Sequence, residues 1–421
     1  MGASALHRTP MAGFRSFCAT ARMDSFYAMR AAQILYKASR RMAGVAEAAR
    51  CLSLALTQAP QGGLAVHVLA LADAFDDQDR PLWKPLDLRT FPAAWGRSPQ
   101  LTSALIERQP DLTHCHGLWR YHVRACSLWA AQTRRPYVVS PHGMLTEWEL
   151  RHSFGKKRLA LWTYQGAHLR GAACLHALSD GEYRFFRRMG LRNAVCQIPN
   201  GTYLPPPPSA QPKAPAPWAG NFDAGRKILL YVGRLNKKKG IHFLIDAWAA
   251  AVRRKAPGSN DWALVIVGWG QFGHERELEE RVRGAGLTRS ICFLGPLFGE
   301  AKLAAFQSTD ALVLPSQDEG LPMVVLEAWA HGRPVLMTRQ CNLPEGLAAG
   351  AAIGAEPSAD SLRVALESLF AMTNDQRQGM GARGYRLVEE RFAWPRAAQQ
   401  MKAVYDWLLG GGSPPSCVRL D

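Results

Sequence analysis

Residues 311–336 read ALVLPSQDEGLPMVVLEAWAHGRPVL, and they predict one unit of a parallel α/β sheet. A short apolar run at 311–314 is typical of a buried strand, 323–331 has the composition and length of a helix, and 335–337 returns to a strand. The polar loop between the first strand and the helix carries Glu319. Open parallel sheets bind ligands at the carboxyl ends of their strands, where loops and helix N-termini point outward. The segment therefore predicts an α/β fold and one edge of a binding site.

Two glutamates in this segment are the first candidates for functional residues. At 3.6 residues per turn, the spacing of Glu319 and Glu327 brings them to roughly the same helix face, ~12 Å apart. One alternative is an ordinary amphipathic helix with one exposed and one capping glutamate. We favour a ligand, because Glu327 stands in an apolar run where a carboxylate needs partners. Ribose and sugar hydroxyls suit it, since one carboxylate accepts two such hydrogen bonds.

The same alternation of short apolar runs and helical stretches extends in both directions from this segment. In the first half, strands are predicted at 33–36, 65–71, 112–116, 137–140, 172–178 and 195–198. In the second half, strands are predicted at 227–232, 263–267, 291–294, 311–314 and 335–337, with helices at 241–253, 276–284 and 323–331. Strands that alternate with helices indicate parallel sheets, so we predict two Rossmann-like α/β domains.

A proline-rich stretch separates the two series. Residues 204–221 contain four consecutive prolines, which favour an extended linker that joins neither sheet. The predicted divisions are a disordered leader at 1–22, an N-terminal domain at 23–203, the linker at 204–221, a C-terminal domain at 222–390, a helix at 391–409 and a disordered tail at 410–421.

The composition excludes several classes of protein. With 421 residues, of which 48% are hydrophobic and 20% charged, the chain suits two globular domains rather than a disordered protein. No apolar run reaches the ~18 residues that a membrane-spanning helix needs. Nine scattered cysteines without a C-x-x-C pair favour a reducing, cytoplasmic compartment over a disulfide framework. The sequence His114-Cys115-His116 has no second ligand cluster to accompany it, so we expect no metal site.

Positive charge is concentrated in the first half of the chain. The net charge is +17, and residues 1–210 carry 26 Lys and Arg against 13 Asp and Glu. A basic half of this kind can bind anionic lipid, phosphorylated substrates or nucleic acid. The alternative is a basic surface without a specific partner. The basic run 156–158 lies near Trp148, Phe154 and Trp162, a combination that can rest on an anionic membrane. No recognition helix, RNA-binding aromatic signature or zinc finger is present, so nucleic acid is the least favoured partner.

A basic loop follows another predicted strand of the second half. Residues 233–240 read GRLNKKKG, in which Gly233 permits a close turn and Arg234 offers a guanidinium fork suited to a diphosphate. Gly268 follows the next predicted strand in the same way. The alternative for such a loop is a solvated surface loop. Carboxyl ends of parallel strands meet at one edge, so we expect this loop beside Glu319.

Seven motifs carry a resemblance to a known family. YVGRLNKKKG, VIVGWG and LPSQDEGLPMVVLEAWAHGRPVL resemble the donor domain of the retaining glycosyltransferases of family 4, which have the GT-B fold. THCHGLW, SPHGMLTEW, LHALSDGE and IPNG extend the resemblance upstream, so that it covers roughly residues 35–408. The match is specific because the motifs occur in order and at suitable spacing. The resemblance implies a cleft between the domains and a C-terminal helix that crosses back to the first domain.

The resemblance also implies roles for individual residues on the donor side. Arg234 and Lys239 are similar to the basic pair that neutralises the donor diphosphate. Glu327 matches the glutamate that holds the ribose, and Glu319 matches the one near the transferred sugar. Further donor contacts are implied for Gly233, Gly268, Gly320, Leu321, Pro322 and Met323. The catalytic set implied in this way is Glu319, His142, Arg234 and Lys239.

On the acceptor side the implied residues are fewer. His142 matches a histidine that commonly faces the sugar across the cleft, with a hydrogen-bonded strand-end histidine as the alternative. His116 and Gly44 are implied to contact the acceptor. Gly44 stands in Met42-Ala43-Gly44-Val45, where relatives often have Gly-Gly.

The function implied is transfer of a hexose from a UDP- or GDP-linked sugar to a lipid-linked or glycan acceptor, with retention of configuration. Bacterial exopolysaccharide, capsule or lipopolysaccharide synthesis would use such an enzyme at the inner face of the cytoplasmic membrane, and no cofactor or metal is expected. One alternative is a sugar-nucleotide epimerase or hydrolase of the same fold. A basic nucleic-acid-binding protein is a distant alternative.

Overall fold

The computed structural model describes residues 29–42, 44–59, 64–151, 154–205, 214–270 and 273–420. The predicted leader at 1–22 and the middle of the predicted linker, 206–213, lie outside the described residues.

The described residues form two α/β domains. The strands are β1 (Arg30–Leu35), β2 (Ala65–Leu71), β3 (Asp87–Phe91), β4 (Leu112–His116), β5 (Tyr137–Ser140), β6 (Cys174–Ala177), β7 (Ala194–Gln197), β8 (Lys227–Val232), β9 (Trp262–Val267), β10 (Ile291–Phe293), β11 (Ala311–Leu314), β12 (Val335–Thr338), β13 (Ala352–Ala355) and β14 (Val418–Arg419). The helices are α1 (Gly44–Thr57), α2 (Asp76–Asp79), α3 (Pro99–Arg108), α4 (Tyr121–Thr133), α5 (Glu147–Arg151), α6 (Phe154–Ala160), α7 (Gly166–Gly171), α8 (Asp180–Arg188), α9 (Ile241–Arg253), α10 (His274–Gly284), α11 (Gly299–Ser308), α12 (Met323–Ala330), α13 (Pro344–Ala348), α14 (Ala359–Ala371), α15 (Asn374–Arg391) and α16 (Trp394–Leu408).

The N-terminal domain is built on an eight-stranded sheet in the order β14-β7-β6-β5-β4-β1-β2-β3. The first seven strands in the chain are parallel, and β14 joins the edge antiparallel to β7. Apolar side chains pack on both faces of this sheet, as a parallel sheet covered by helices requires. Strand β1 lies next to β4, so their carboxyl ends share the side of the sheet where a ligand can bind.

The C-terminal domain has a six-stranded parallel sheet in the order β10-β9-β8-β11-β12-β13. Strands β8 and β11 are neighbours although some eighty residues separate them in the chain, because Leu229 and Leu230 pair with Ala311 and Leu312. The loops after β8, β9 and β11 therefore leave the sheet at one edge. That edge is where the two sequence-predicted loops were expected to meet.

Helix α16 returns to the N-terminal domain. Its buried face, which includes Trp394, Met401 and Tyr405, packs in the same apolar cluster as α1. The chain enters and leaves the C-terminal domain side by side, since Thr202 donates its backbone N–H to the carbonyl of Phe392 at 2.7 Å. The paired crossings bring the two domains together at one end of the cleft.

The prediction of two Rossmann-like α/β domains is confirmed, and five strands, β2, β4, β5, β8 and β11, have the predicted bounds. The prediction of a disordered tail from Gly410 is wrong, because Val418 and Arg419 pair with Val195 and Cys196 as an edge strand. Strands β3 and β13 were not predicted. The first reads DLRTF and is half exposed, and the second reads AIGA, so neither gives a strong apolar signal.

Among the described residues, no helix combines the length and the apolar composition that crossing a membrane requires.

Candidate active site

The loops that follow β8 and β11 are hydrogen-bonded to each other. Gln317 donates its backbone N–H to the carbonyl of Lys238 at 2.8 Å and its side-chain amide to the carbonyl of Lys237 at 2.6 Å. The Asn236 side chain accepts a hydrogen bond from the backbone N–H of Lys239 at 3.2 Å, which caps the short helical turn Lys237–Lys239. This arrangement places Lys239 against the loop that carries Glu319.

Glu319 and Lys239 form an ion pair at the centre of the site. Their side-chain atoms Oε1 and Nζ are 2.5 Å apart, and the side chains are 12% and 16% exposed. The Ser316 hydroxyl donates to the same carboxylate oxygen at 2.6 Å. Burial opposes ionisation of Glu319, but the Lys239 ammonium and the Ser316 hydroxyl outweigh it and lower the pKa of the carboxyl. The sequence-predicted Glu319 and Lys239 are therefore brought together, as a charged pair.

The backbone around Glu319 is held from the next strand end. Its N–H donates to the carbonyl of Gln340 at 3.0 Å, and its carbonyl accepts from the Asn342 side chain at 2.5 Å. Helix α12 begins directly afterwards with Pro322 at its N-cap. Proline has no N–H, so in this turn only Gly320, Leu321 and the first residues of the helix can offer donors to an anion. The arrangement is suited to a phosphate or a sugar oxygen.

Glu327 has a partner that sequence reasoning did not identify. Nζ of Lys302, on α11, lies 2.6 Å from Oε1 of Glu327, and the two side chains are 33% and 23% exposed. Nothing in the local sequence of α11 marks Lys302, because the contact depends on how α11 and α12 pack on the sheet. Glu327 is thus a partly accessible carboxylate with a cation beside it.

Arg234 is available to a ligand. Its side chain is exposed and forms none of the ion pairs found among the described residues. Its position is fixed through the backbone, since Tyr231 donates its hydroxyl to the carbonyl of Arg234 at 2.9 Å. Gly268 has a φ of +147° and lies so close to this loop that a methyl group on it would stand 1.8 Å from the carbonyl oxygen of Gly233. The predicted donor-binding residues Gly233 and Gly268 thus allow the ends of β8 and β9 to lie close together.

The N-terminal domain reaches the site through the turn after β5. A methyl group built on Gly143 would lie 3.2 Å from the Cα of Gly320, and one built on Gly320 would lie 3.6 Å from the carbonyl carbon of His142. His142 has a φ of +53°, a left-handed conformation that is uncommon for a non-glycine residue. The predicted His142 therefore borders the same loop as Glu319.

A second bridge between the domains was not predicted. Nζ of Lys238 lies 2.9 Å from Asp318 and 3.1 Å from Glu149 of the N-terminal domain, and it stands 4.9 Å from the ring centroid of Trp148. The Thr146 hydroxyl donates to the same Asp318 oxygen at 2.6 Å. Burial alone would lower the pKa of Lys238, but these carboxylates raise it. Lys238 is therefore a cation shared by the two domains.

Helix α1 carries the predicted Gly44. Gly44 is its first residue, and a methyl group there would meet nothing within 4 Å. The Arg40 guanidinium lies 5.4 Å from the ring centroid of Phe298, across the cleft, and is held by Asp79 at 2.6 Å. A side chain at the predicted Gly44 would thus meet open space.

His116 corrects one expectation. It was expected to contact an acceptor, but the structure buries it, and both ring nitrogens have partners. Nδ1 lies 2.9 Å from Nε2 of His142, and Nε2 lies 2.7 Å from Oε1 of Gln33. A direct contact between His116 and a ligand is therefore excluded in this conformation, and His116 reaches the cleft only through His142.

Glu182 is a buried carboxyl beside the site that the sequence did not single out. Its oxygens accept the backbone N–H of Gly143 at 2.8 Å and of Leu178 at 2.9 Å. Burial raises its pKa to about 7, and the two backbone N–H groups oppose that rise. Glu182 thus holds the turn that carries His142 and Gly143.

No cluster of three or more His, Cys, Asp or Glu side chains in the described part of the chain could hold a metal ion. The eight cysteines within that part are free thiols. The expectation that no metal or cofactor is used stays a prediction.

Two family models match the chain. Residues 226–371 match "Glycosyl transferases group 1", and residues 43–201 match "Glycosyl transferase 4-like domain". The phosphatidyl-myo-inositol mannosyltransferase of Mycobacterium leprae is 28% identical over 316 residues, which are 73% of this chain and 76% of that protein. The D-inositol 3-phosphate glycosyltransferase of Corynebacterium urealyticum is 32% identical over 186 residues, 42% of each chain. For most of the curated relatives it matches, the chain spans only about half of their length or less.

Solved structures agree in fold. Anabaena HepE in complex with UDP and glucose superposes with a TM-score of 0.69 at 19% identity, over 90% of this chain and 100% of that one. The sucrose-phosphate synthase of Thermosynechococcus elongatus gives 0.70 at 20% identity, over 91% and 100%. At these low sequence identities, the superpositions show only that the fold is shared. With both family models matched, one to each domain, the chain belongs to the glycosyltransferases of family 4, which have the GT-B fold.

Proposed function

We propose that this protein transfers a hexose from a UDP- or GDP-linked sugar to a lipid-linked or glycan acceptor, with retention of configuration. One observation carries the proposal. The Glu319–Lys239 pair lies at adjoining strand ends of one domain, and the His142–Gly143 turn of the other domain closely approaches Gly320, the residue after Glu319. Such a cleft can hold a sugar between the domains and exclude water, which favours transfer over hydrolysis.

The charges in the cleft suit a nucleoside diphosphate. Arg234 offers an exposed guanidinium that forms no ion pair with the residues the structure describes, and the backbone N–H groups at the start of α12 offer further donors. These groups stabilise negative charge on the diphosphate as the bond to the sugar breaks. Glu327, with Lys302 beside it, is positioned to accept ribose hydroxyls.

The named relatives support the substrate classes. Structures of HepE contain UDP, glucose or UDP-glucose, and the relatives named above act on inositol phosphate or phosphatidylinositol by their names. LpsB of Rhizobium meliloti, 29% identical over 203 residues, is a lipopolysaccharide core mannosyltransferase. On these grounds we propose a lipid-linked or glycan acceptor in bacterial surface-polymer synthesis.

The donor is tested by thermal shift against UDP-, GDP- and ADP-sugars, since a ligand that binds the native state raises Tm by mass action. We expect one UDP- or GDP-sugar to stabilise the protein and Arg234→Ala to reduce the shift in Tm. Donor turnover without acceptor that yields an isomerised or hydrolysed sugar would instead favour an epimerase or hydrolase. Retention is read from the anomeric coupling of the first product formed, and an inverted product would refute that part of the proposal.

We further propose that the first domain rests on an anionic membrane. Phe154, Leu159 and Trp162 are exposed on and just after α6, and Lys156 and Arg158 lie beside them. Apolar side chains flanked by cations bind anionic headgroups. In liposome flotation, we expect recovery that depends on anionic lipid and that Trp162→Ala reduces, whereas Trp95→Ala, at an exposed tryptophan elsewhere in the same domain, serves as the control. Equal recovery with and without anionic lipid would overturn this part.

A further inference from the structure

A continuous chain of hydrogen bonds runs under the N-terminal sheet and ends at His142. It crosses four adjacent strands, β6, β5, β4 and β1, and takes in one side chain from α16. Its members in order are the carbonyl of Ile198, His176, Ser140, His114, Tyr405, Gln33, His116 and His142. The successive distances are 2.7, 2.6, 2.6, 2.6, 3.2, 2.7 and 2.9 Å.

The first member fixes the direction of every bond that follows. The carbonyl of Ile198 can only accept, so Nε2 of His176 carries a proton and donates it. In a neutral imidazole the other nitrogen is then an acceptor, so Nδ1 of His176 accepts the proton of the Ser140 hydroxyl. The oxygen of Ser140 is left to accept from Nε2 of His114. Nδ1 of His114 is therefore unprotonated, and it accepts a hydrogen bond from the hydroxyl of Tyr405.

The hydrogen bonds from Tyr405 to His142 follow from the same reasoning about donors and acceptors. Tyr405 donates its proton to His114, so its oxygen accepts the side-chain amide N–H of Gln33. That contact directs the carbonyl oxygen of Gln33 to His116, whose Nε2 must donate. Nδ1 of His116 is then bare and accepts from Nε2 of His142. The chain therefore leaves Nδ1 of His142 without a proton, and among the described residues it has no hydrogen-bond partner.

These bond directions hold only for neutral imidazoles, and burial keeps the four histidine rings neutral at neutral pH. Burial lowers the pKa of His142 to about 3 and that of His176 to about 4. It lowers the pKa of His114 and His116 well below the ordinary value, and the neighbouring imidazoles add to this effect. Each ring is thus a one-donor, one-acceptor link at neutral pH.

We propose that Gln33, His116 and Tyr405 are positioning residues that hold His142 as its Nε2–H tautomer and leave Nδ1 to accept a hydrogen bond from a sugar hydroxyl in the cleft. This inference rests on the proposed function for the sugar, but the tautomer itself belongs to the protein alone. His142 borders Gly320, since a methyl group on Gly320 would lie 3.6 Å from the carbonyl carbon of His142. Tyr405 lies on α16, so docking of that helix on the first domain completes the chain.

The tautomer is measured by NMR on protein labelled with 15N-histidine, in which long-range proton–nitrogen correlations distinguish a protonated from a bare ring nitrogen. His142→Gln assigns the signal. We expect the wild-type signal of His142 to report protonated Nε2 and bare Nδ1. Observation of the Nδ1–H form in the wild-type protein would overturn the proposal, whether or not a substrate is known.

Two variants break the chain at a distance from His142. Gln33→Met removes the acceptor of His116, and Tyr405→Phe removes a single oxygen, so each frees the remaining links to reverse. We expect both tautomers of His142 in each variant, and kcat/KM should fall in proportion to the fraction of His142 that keeps the Nε2–H form. Tyr137→Phe is the matched control, because its buried hydroxyl donates only to the carbonyl of His168, outside the chain.

The outcomes separate the two proposals. A variant that keeps the Nε2–H tautomer of His142 and full kcat/KM overturns the positioning role. A wild-type protein that transfers no sugar, but whose His142 reports the expected tautomer that Gln33→Met disturbs, contradicts the proposed function and supports the positioning role.

Discussion

Nζ of Lys239 lies 2.5 Å from Oε1 of Glu319, and this ion pair joins the loops after two neighbouring strands of the C-terminal sheet. Both side chains are largely buried, so each charge depends on the other for compensation. The pair has two consequences. It fixes an ionised carboxylate at the cleft, and it leaves Arg234 as a cation of the same loop that is free to meet a diphosphate.

A double-mutant cycle tests the coupling of this pair. Lys239→Met leaves Glu319 buried without its cation, so we expect a loss of about 2 kcal/mol in the free energy of unfolding. Lys239→Met combined with Glu319→Gln should cost less than the sum of the single changes, with a coupling of about 1 kcal/mol by urea denaturation. Arg276 and Glu280, an exposed pair of the same domain, are the control and should couple by less than about 0.5 kcal/mol. Additive losses at Lys239 and Glu319 would contradict the ion pair.

Arg234→Ala should affect donor binding without affecting stability. The guanidinium is exposed and forms no ion pair among the described residues, and the backbone contact from Tyr231 remains. Loss of one charge-assisted hydrogen bond to the diphosphate should raise the donor KM about tenfold. Arg254→Ala, an exposed arginine at the end of α9, is the matched control. Unchanged KM in Arg234→Ala, with Tm also unchanged, would remove Arg234 from the donor site.

Gly143→Ala tests the close approach of the domains. Gly143 and Gly190 have nearly equal φ values of +75° and +76°, but a methyl group meets Gly320 at 3.2 Å only in the first case. Both changes should cost about 1 kcal/mol of stability through backbone strain. Only Gly143→Ala should also lower kcat/KM for transfer, because it separates the His142 turn from the loop of Glu319. Equal activity of the two variants would show that this contact is dispensable.

Much of the C-terminal half of the site could be predicted from sequence, for a local reason. Glu319, Arg234 and Gly268 each lie in a loop that follows a strong apolar run, and the strand ends of a parallel sheet converge. The same apolar runs predict strands β8 and β11 with their correct bounds. Propensity and hydrophobic periodicity depend only on residues close together in the sequence. The strands and the residues that follow them could therefore be predicted from the sequence.

Contacts between distant segments could not be predicted. Lys302 meets Glu327 only because α11 packs beside α12, and Glu149 meets Lys238 only because the cleft closes. The sequence around Lys302 and Lys238 does not distinguish a lysine in the cleft from a lysine on the surface. The resemblance implied an acceptor contact for His116, but His116 is buried and its ring nitrogens contact Gln33 and His142, which the local sequence does not reveal.

Glu182 gives the stability of the protein a pH dependence of unusual sign. Burial raises the pKa of its carboxyl from 4.5 to about 7, so between these values the native protein holds a proton that the unfolded chain releases. By linkage, its contribution to stability is full below pH 4.5 and is lost as the pH rises to about 7, at up to about 1.4 kcal/mol per pH unit. Glu182→Gln stays neutral, and should remove this slope.

The measurement is the free energy of unfolding of the wild-type protein minus that of Glu182→Gln, from urea denaturation at several values between pH 4.5 and 7. Taking the difference removes the buried histidines, whose lowered pKa values destabilise the fold as the pH falls and so act in the opposite direction. We expect the difference to fall as the pH rises, by no more than about 3 kcal/mol in total. Glu107→Gln, at an exposed glutamate of the same domain, should give a flat difference. A flat difference for Glu182→Gln as well would mean that the N–H groups of Gly143 and Leu178 keep the carboxyl ionised throughout, and that they hold the His142 turn by a charged hydrogen bond.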